Sequence, residues 1–150
     1  MRLALLVPLL VLACVLAGCG GDDVTIAFTE SRLALAPAVI SLTVLPRLTG
    51  RAAADTFLTG RTFDAAEAAA MGLVTRAVPA GELDATVADV CDELRKAHPQ
   101  GLRETKALLA ADLVRRIDDQ AEPMAALSAR LFGSDAAREA MLAFLSRTRK

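Results

Sequence analysis

The sequence predicts a mainly α-helical α/β chain with one or two short strands. Three observations carry that reading. Hydrophobic residues make up 54% of the 150 residues while aromatic residues are only 3%, an Ala- and Leu-rich balance that favours helices. From residue 80 onward, apolar residues recur at spacings of three and four, the period of a helix face. Only two short stretches, Val24–Phe28 and Leu73–Val78, have the β-branched profile of a strand.

Taken in chain order, Val24–Phe28 reads as the first strand. Pro37 suits a first helical turn, with Ala38 to Leu45 behind it and Pro46 as the stop. Arg51 to Leu58 reads as a helix closed by Gly60. Asp64-Ala-Ala-Glu67 is a capping box: a side-chain acceptor at the cap, a carboxylate three residues on, and a short helix to Met71 that stops at Gly72. Leu73–Val78 reads as a second brief strand ended by Pro79. Leu83, Val87, Val90, Cys91 and Leu94 mark an amphipathic helix that Pro99 stops, with Cys91 as a small core hydrophobe. Leu102, Leu108, Leu109 and Leu113 suggest another helix. Met124, Leu127, Leu131 and Phe132 suggest a separate one ending at Gly133. Ser134 or Asp135 caps a final helix that carries Met141, Leu142 and Leu145. His98 reads as a surface or capping residue, and Asp22-Asp23 and Asp118-Asp119 as solvated turns.

Residues 3–19 carry no charge, behind Arg2 and ahead of Gly20, Gly21, Asp22 and Asp23. A basic start, an apolar run and small residues at its end form the pattern of a secretory signal. Leu16-Ala17-Gly18-Cys19 also resembles a bacterial lipobox, which would make Cys19 a lipidation site and the protein a membrane-anchored lipoprotein. The alternative is a buried strand or helix in a truncated or mis-started chain. The chain thus divides into the apolar segment 1–23, a core region 24–79 and a helical region 80–150.

Charge and composition exclude several functions. Lys+Arg 17 against Asp+Glu 18 gives a net charge of −1, so no global field draws the chain to nucleic acid. With no Tyr and no Trp it has little to stack bases on. Three Cys and one His supply neither the usual zinc ligand set nor a disulfide framework, and no metal site is expected.

Several blocks, in order, resemble one family, the crotonase superfamily of enoyl-CoA hydratases and isomerases. Phe28-Thr-Glu30-Ser-Arg32-Leu-Ala-Leu-Ala-Pro37-Ala-Val-Ile40-Ser41 is similar to its F-x-x-E-x-x-L-G-x-x-P block, in the style of the methylglutaconyl-CoA hydratase-like branch. Phe57-Leu-Thr-Gly60, Phe63-Asp-Ala65-Ala-Glu67-Ala68, Gly72-Leu-Val74 and Val78-Pro79-x-x-Glu82-Leu83 follow its L-T-G, F-x-A-x-E-A, G-L-V and V-V-P…E-L signature. The stretch from Ala137 to Arg147 resembles its E-G-x-x-A-F-x-E-K-R tail, with Ala140 in place of Gly and Arg147 in place of Lys.

The resemblance implies a crotonase-type spiral of ββα units, of which this chain holds the last part, followed by a helical region used for trimerisation. It implies an acyl-CoA thioester as substrate, no cofactor, a homo-oligomer (trimer or hexamer), and a cytoplasmic location. Hydration of an enoyl thioester needs donors for a developing oxyanion and groups that move protons at Cβ and Cα. The resemblance gives Glu30 the Cα proton; a surface carboxylate paired with Arg32 is the alternative. It places Phe144 and Arg147 near the adenine and phosphates of CoA, against the alternative of a core Phe and a cationic helix end. In the family the second glutamate and the oxyanion donors lie upstream of the Glu30 block. Here that stretch holds no acid before Asp22 and no Gly before Gly18. This polypeptide alone is therefore expected to be a weak catalyst or none.

Overall fold

The computed structural model describes residues 24–148. Strand β1 (Thr25–Ala27) pairs antiparallel with β2 (Thr62–Asp64), Ile26 facing Phe63 across the ladder. Two such short strands are marginal by themselves and need helices against them. Here those are α1 (Ala38–Val44), α2 (Gly50–Thr59) and α3 (Ala65–Ala70). The core lies among these elements: Phe28, Val44, Leu48, Phe63 and Ala68 are buried, and Ile26, Ile40, Phe57, Met71, Leu73 and Val74 pack on them. The Phe28 ring centroid lies 4.6 Å from that of Phe57 and 5.8 Å from that of Phe63, in tilted pairs.

Local chemistry sets the ends of these helices. Thr49 caps α2, its Oγ1 accepting from the Ala52 N–H at 3.2 Å, and Gly60 closes it in a left-handed conformation (φ 59°). The fully buried Thr56 hydroxyl donates back to the Ala52 carbonyl at 2.8 Å, so the core holds no orphaned hydroxyl there. Asp64 caps α3, accepting from the Glu67 N–H at 2.7 Å.

Helix α4 (Leu83–Arg95) forms where the periodicity places it, but its stripe is not covered: Val87, Val90 and Leu94 are exposed, and Cys91 is half-buried rather than in the core. The expected strand over 73–78 is absent. The Leu73 and Val74 N–H groups both donate to the Ala68 carbonyl, at 2.9 and 3.4 Å, so the end of α3 consumes the donors a strand would offer a ladder.

The two helices expected over 102–113 and 124–132 are one, α5 (Pro99–Phe132). The charged stretch between them hides a continuous half-buried row of Leu113, Ile117, Met124, Leu127 and Leu131. Pro123 lies inside α5 without breaking it, though it has no N–H to offer the Asp119 carbonyl. Asp118 and Asp119 are therefore exposed residues of a helix, not of a turn. His98 caps α5, its Nδ1 accepting from the Gln100 N–H at 3.2 Å. Helix α6 (Asp135–Thr148) opens at Ser134, whose Oγ accepts from the Ala137 N–H at 3.2 Å.

Helix α1 packs along α5, and α6 returns against α5 and the segment after β1. Leu108, Leu109, Leu142 and Leu145 remain exposed. Among the described residues, no helix is long and apolar enough to cross a membrane. Cys19 and Asp22-Asp23 lie outside the described residues.

Candidate active site

Glu30 begins a 3-10 turn, Glu30–Leu33, two residues after the buried Phe28. Its own carbonyl closes the turn, accepting from the Ala34 N–H and from the Leu35 N–H, the latter at 2.9 Å. Ala34 adopts a left-handed conformation (φ 56°) to make that closure. The residue as a whole is half-buried. The turn rests against α2 on one side and α6 on the other.

The expected alternative for Glu30, a pair with Arg32, is not formed. Arg32 turns away, its Nε donating to the Thr59 carbonyl at 2.8 Å, and Ser31 Oγ donates to the Leu58 carbonyl at 3.2 Å. Both acceptors belong to the last turn of α2, where carbonyls lack intrahelical partners. Among the described residues Glu30 is left as a carboxylate with no ion pair.

Phe144 and Arg147 lie on α6 and are both exposed. Phe144 is thus not the core residue that the bland alternative made it. The structure brings their helix to the Glu30 turn. Among the described residues no group of three His, Cys, Asp or Glu side chains is placed to hold a metal ion.

One cluster is new relative to the sequence reading. Arg61, half-buried between α2 and β2, donates from Nε to Asp55 Oδ2 at 2.6 Å and from its two terminal nitrogens to both oxygens of Glu67. The guanidinium also lies 5.8 Å from the Phe63 ring centroid. The capping box found the Asp64 half of this arrangement, but the Glu67 carboxylate goes to Arg61 instead of back to the cap. The only sequence signal was an Arg flanked at six residues by two acids. The hydrogen bonds from Arg61 hold the Glu67 carboxyl below the usual carboxylate range, and they raise the Arg61 pKa in turn.

Because the folded value for Glu67 is the lower one, the clamp's contribution is complete above the ordinary glutamate pKa and is lost as pH falls through the depressed value. Arg61→Ala should therefore lower the thermal midpoint by a few degrees at neutral pH, the modest scale of solvent-facing pairs. The gap between variant and parent should close on acidification. Unfolding followed by circular dichroism at pH 7 and at pH values below the carboxylate range checks this; a gap that stays constant with pH would sink it.

Comparison with known proteins gives this geometry a context. The family model described as "Enoyl-CoA hydratase/isomerase" matches residues 9–150. The crystal structure of an enoyl-CoA hydratase from Mycobacterium avium superposes with a TM-score of 0.81 at 48% identity, over 85% of this chain and 50% of that one. An enoyl-CoA hydratase/isomerase from Pseudoalteromonas atlantica has a TM-score of 0.75 at 23% identity, over 85% and 52% of the two chains, a likeness of fold alone. A Thermus thermophilus protein provisionally named an enoyl-CoA hydratase is 34% identical over 90 residues, 60% of this chain and 36% of its own length. The chain thus spans about half of the solved relatives and about a third of the Thermus protein.

Proposed function

Because this chain belongs to the enoyl-CoA hydratase/isomerase family, we propose that it acts on an acyl-CoA thioester, with Glu30 moving the proton at Cα. The observation that carries the reading is the state of Glu30. It is half-buried, anchored by the core through Phe28, and not ion-paired, although an arginine stands two residues away.

Adding water across a C=C conjugated to a thioester carbonyl passes through an enolate-like state. A carboxyl group beside Cα delivers the proton that quenches it, or removes that proton in the reverse direction. A carboxylate already committed to an arginine holds its ionised form too firmly to serve as the acid. The substrate brings its own activating thioester, so this chemistry needs no cofactor.

Phe144 and Arg147 are proposed to meet the CoA moiety, since their helix abuts the Glu30 turn and an arginine can hold phosphate oxygens in a fork. The exposed Leu108, Leu109, Leu142 and Leu145 support assembly into a homo-oligomer, in which such surfaces are covered.

Among the described residues no second carboxylate precedes Glu30, and the family resemblance puts that group and the oxyanion donors upstream of it. Losing one oxyanion donor typically costs about 10²- to 10³-fold in rate. Slow turnover is therefore the expected result for the polypeptide alone. The test is hydration of crotonyl-CoA with protein in excess, followed over hours by loss of the enoyl absorbance. The parent should exceed the uncatalysed background and Glu30→Gln should not. A parent rate that Glu30→Gln leaves unchanged overturns the proposal.

A further inference from the structure

We propose that Arg32, seconded by Ser31, is a positioning residue for Glu30; the inference rests on the reading of Glu30 as a proton-transfer group. The turn that carries Glu30 is secured twice over. Its backbone is closed on itself by the Ala34 and Leu35 N–H groups, both donating to the Glu30 carbonyl. It is then tied to α2 by the side chains of the next two residues, through Ser31 Oγ to Leu58 and Arg32 Nε to Thr59.

The second tie depends on a feature of α2 itself. The last carbonyls of a helix need donors, and that end favours a cation. Arg32 provides both. Its stem occupies the space over Gly60: a Cβ there would lie 3.0 Å from Arg32 Nε and 3.2 Å from its Cδ and Cγ. The glycine that ends α2 thereby also admits the arginine that fixes the Glu30 turn. Commitment of Nε to Thr59 has a further consequence, since it leaves the Glu30 carboxylate without an arginine partner.

The test uses the full 150-residue chain with Arg32→Ala, Arg32→Lys and Ser31→Ala. Amide hydrogen exchange is read at Ala34 and Leu35, whose N–H groups close the turn, and at α5 as an internal reference. Arg32→Ala should speed exchange at Ala34 and Leu35 by about tenfold or more while α5 is unchanged, the signature of a local opening. Arg32→Lys, which retains a cationic donor, should recover most of the protection. Ser31→Ala should move the same amides less, and remains informative if Arg32→Ala does not fold. Unchanged exchange at these amides, or equal acceleration throughout the chain, overturns the proposal.

Single-turnover hydration of crotonyl-CoA supplies the second readout. The rate constant should fall in Arg32→Ala with the half-saturating protein concentration unchanged, and should return in Arg32→Lys. A fall in affinity alone would overturn the positioning role. If Glu30→Gln leaves turnover untouched, it is the proton-transfer reading of Glu30 that fails, and the exchange data still decide whether Arg32 fixes the turn.

Discussion

Phe28→Ala should lower the stability of this protein by about 3–5 kcal/mol, the usual range for emptying a buried aromatic site. Phe28 is 2% exposed and its ring meets two others, so its removal takes away burial and both ring contacts together. The space left is bounded by β2, α2 and α3, elements held by ladder and cap hydrogen bonds, and cannot close cheaply. For a chain of this length the midpoint should fall by roughly 2–4 °C per kcal/mol. Phe28→Leu keeps most of the volume and should cost less. Leu58→Ala, at a residue 76% exposed and outside the surface proposed for assembly, should stay within about 0.5 kcal/mol. Urea unfolding followed by circular dichroism reads all three, and a Phe28→Ala loss below about 1 kcal/mol would mean that the core is centred elsewhere. The same variant bears on the site: Phe28 sits between β1 and the turn that carries Glu30, so turnover should fall even where the chain remains folded.

Elements governed by local chemistry were the legible ones. Pro37, Gly60, Asp64, Gly72, His98 and Ser134 all act on their immediate neighbours, and helices begin or end where they stand. What the sequence hid depended on distant partners. Leu73–Val78 has strand composition, yet its first two N–H groups are taken by the Ala68 carbonyl. The α5 row looked interrupted because charged residues fill the other faces of the same helix around Ile117. Cys91 sits on a true apolar stripe, but being core requires a covering surface, and none of the described elements covers Val87, Val90 and Leu94.

At the site, Glu30 was legible only through the family block; spacing alone favoured the pair with Arg32. Nothing local in Glu-Ser-Arg says that Ser31 and Arg32 will cap a helix ending 27 residues later. The Arg61 clamp was obscured for the same reason, since it joins the end of one helix to the start of another across a strand.

Gly72→Ala should be comparably damaging, at about 2–5 kcal/mol, and for a different reason. Gly72 has φ 87°, where a side chain strains the backbone by about 1–2 kcal/mol. A Cβ there would also lie 2.6 Å from the Arg47 carbonyl oxygen, a main-chain atom that has no rotamer to escape into, and overpacking of that kind adds about 1–3 kcal/mol. Relief requires α3 to move away from the end of α1, which withdraws Leu73 and Val74 from the core they pack on. Because α1 is also the helix that lies along α5, the displacement separates the sheet layer from the long helix as well. Gly101→Ala is the matched control. Its Cβ would meet nothing within 4 Å, and inside α5 the change should be neutral or stabilising by up to about 1 kcal/mol. Thermal unfolding of the two variants against the parent separates the effects. Equal midpoints for both would show that the approach of Gly72 to Arg47 is slack, and that the two layers are joined through α1 and α5 alone.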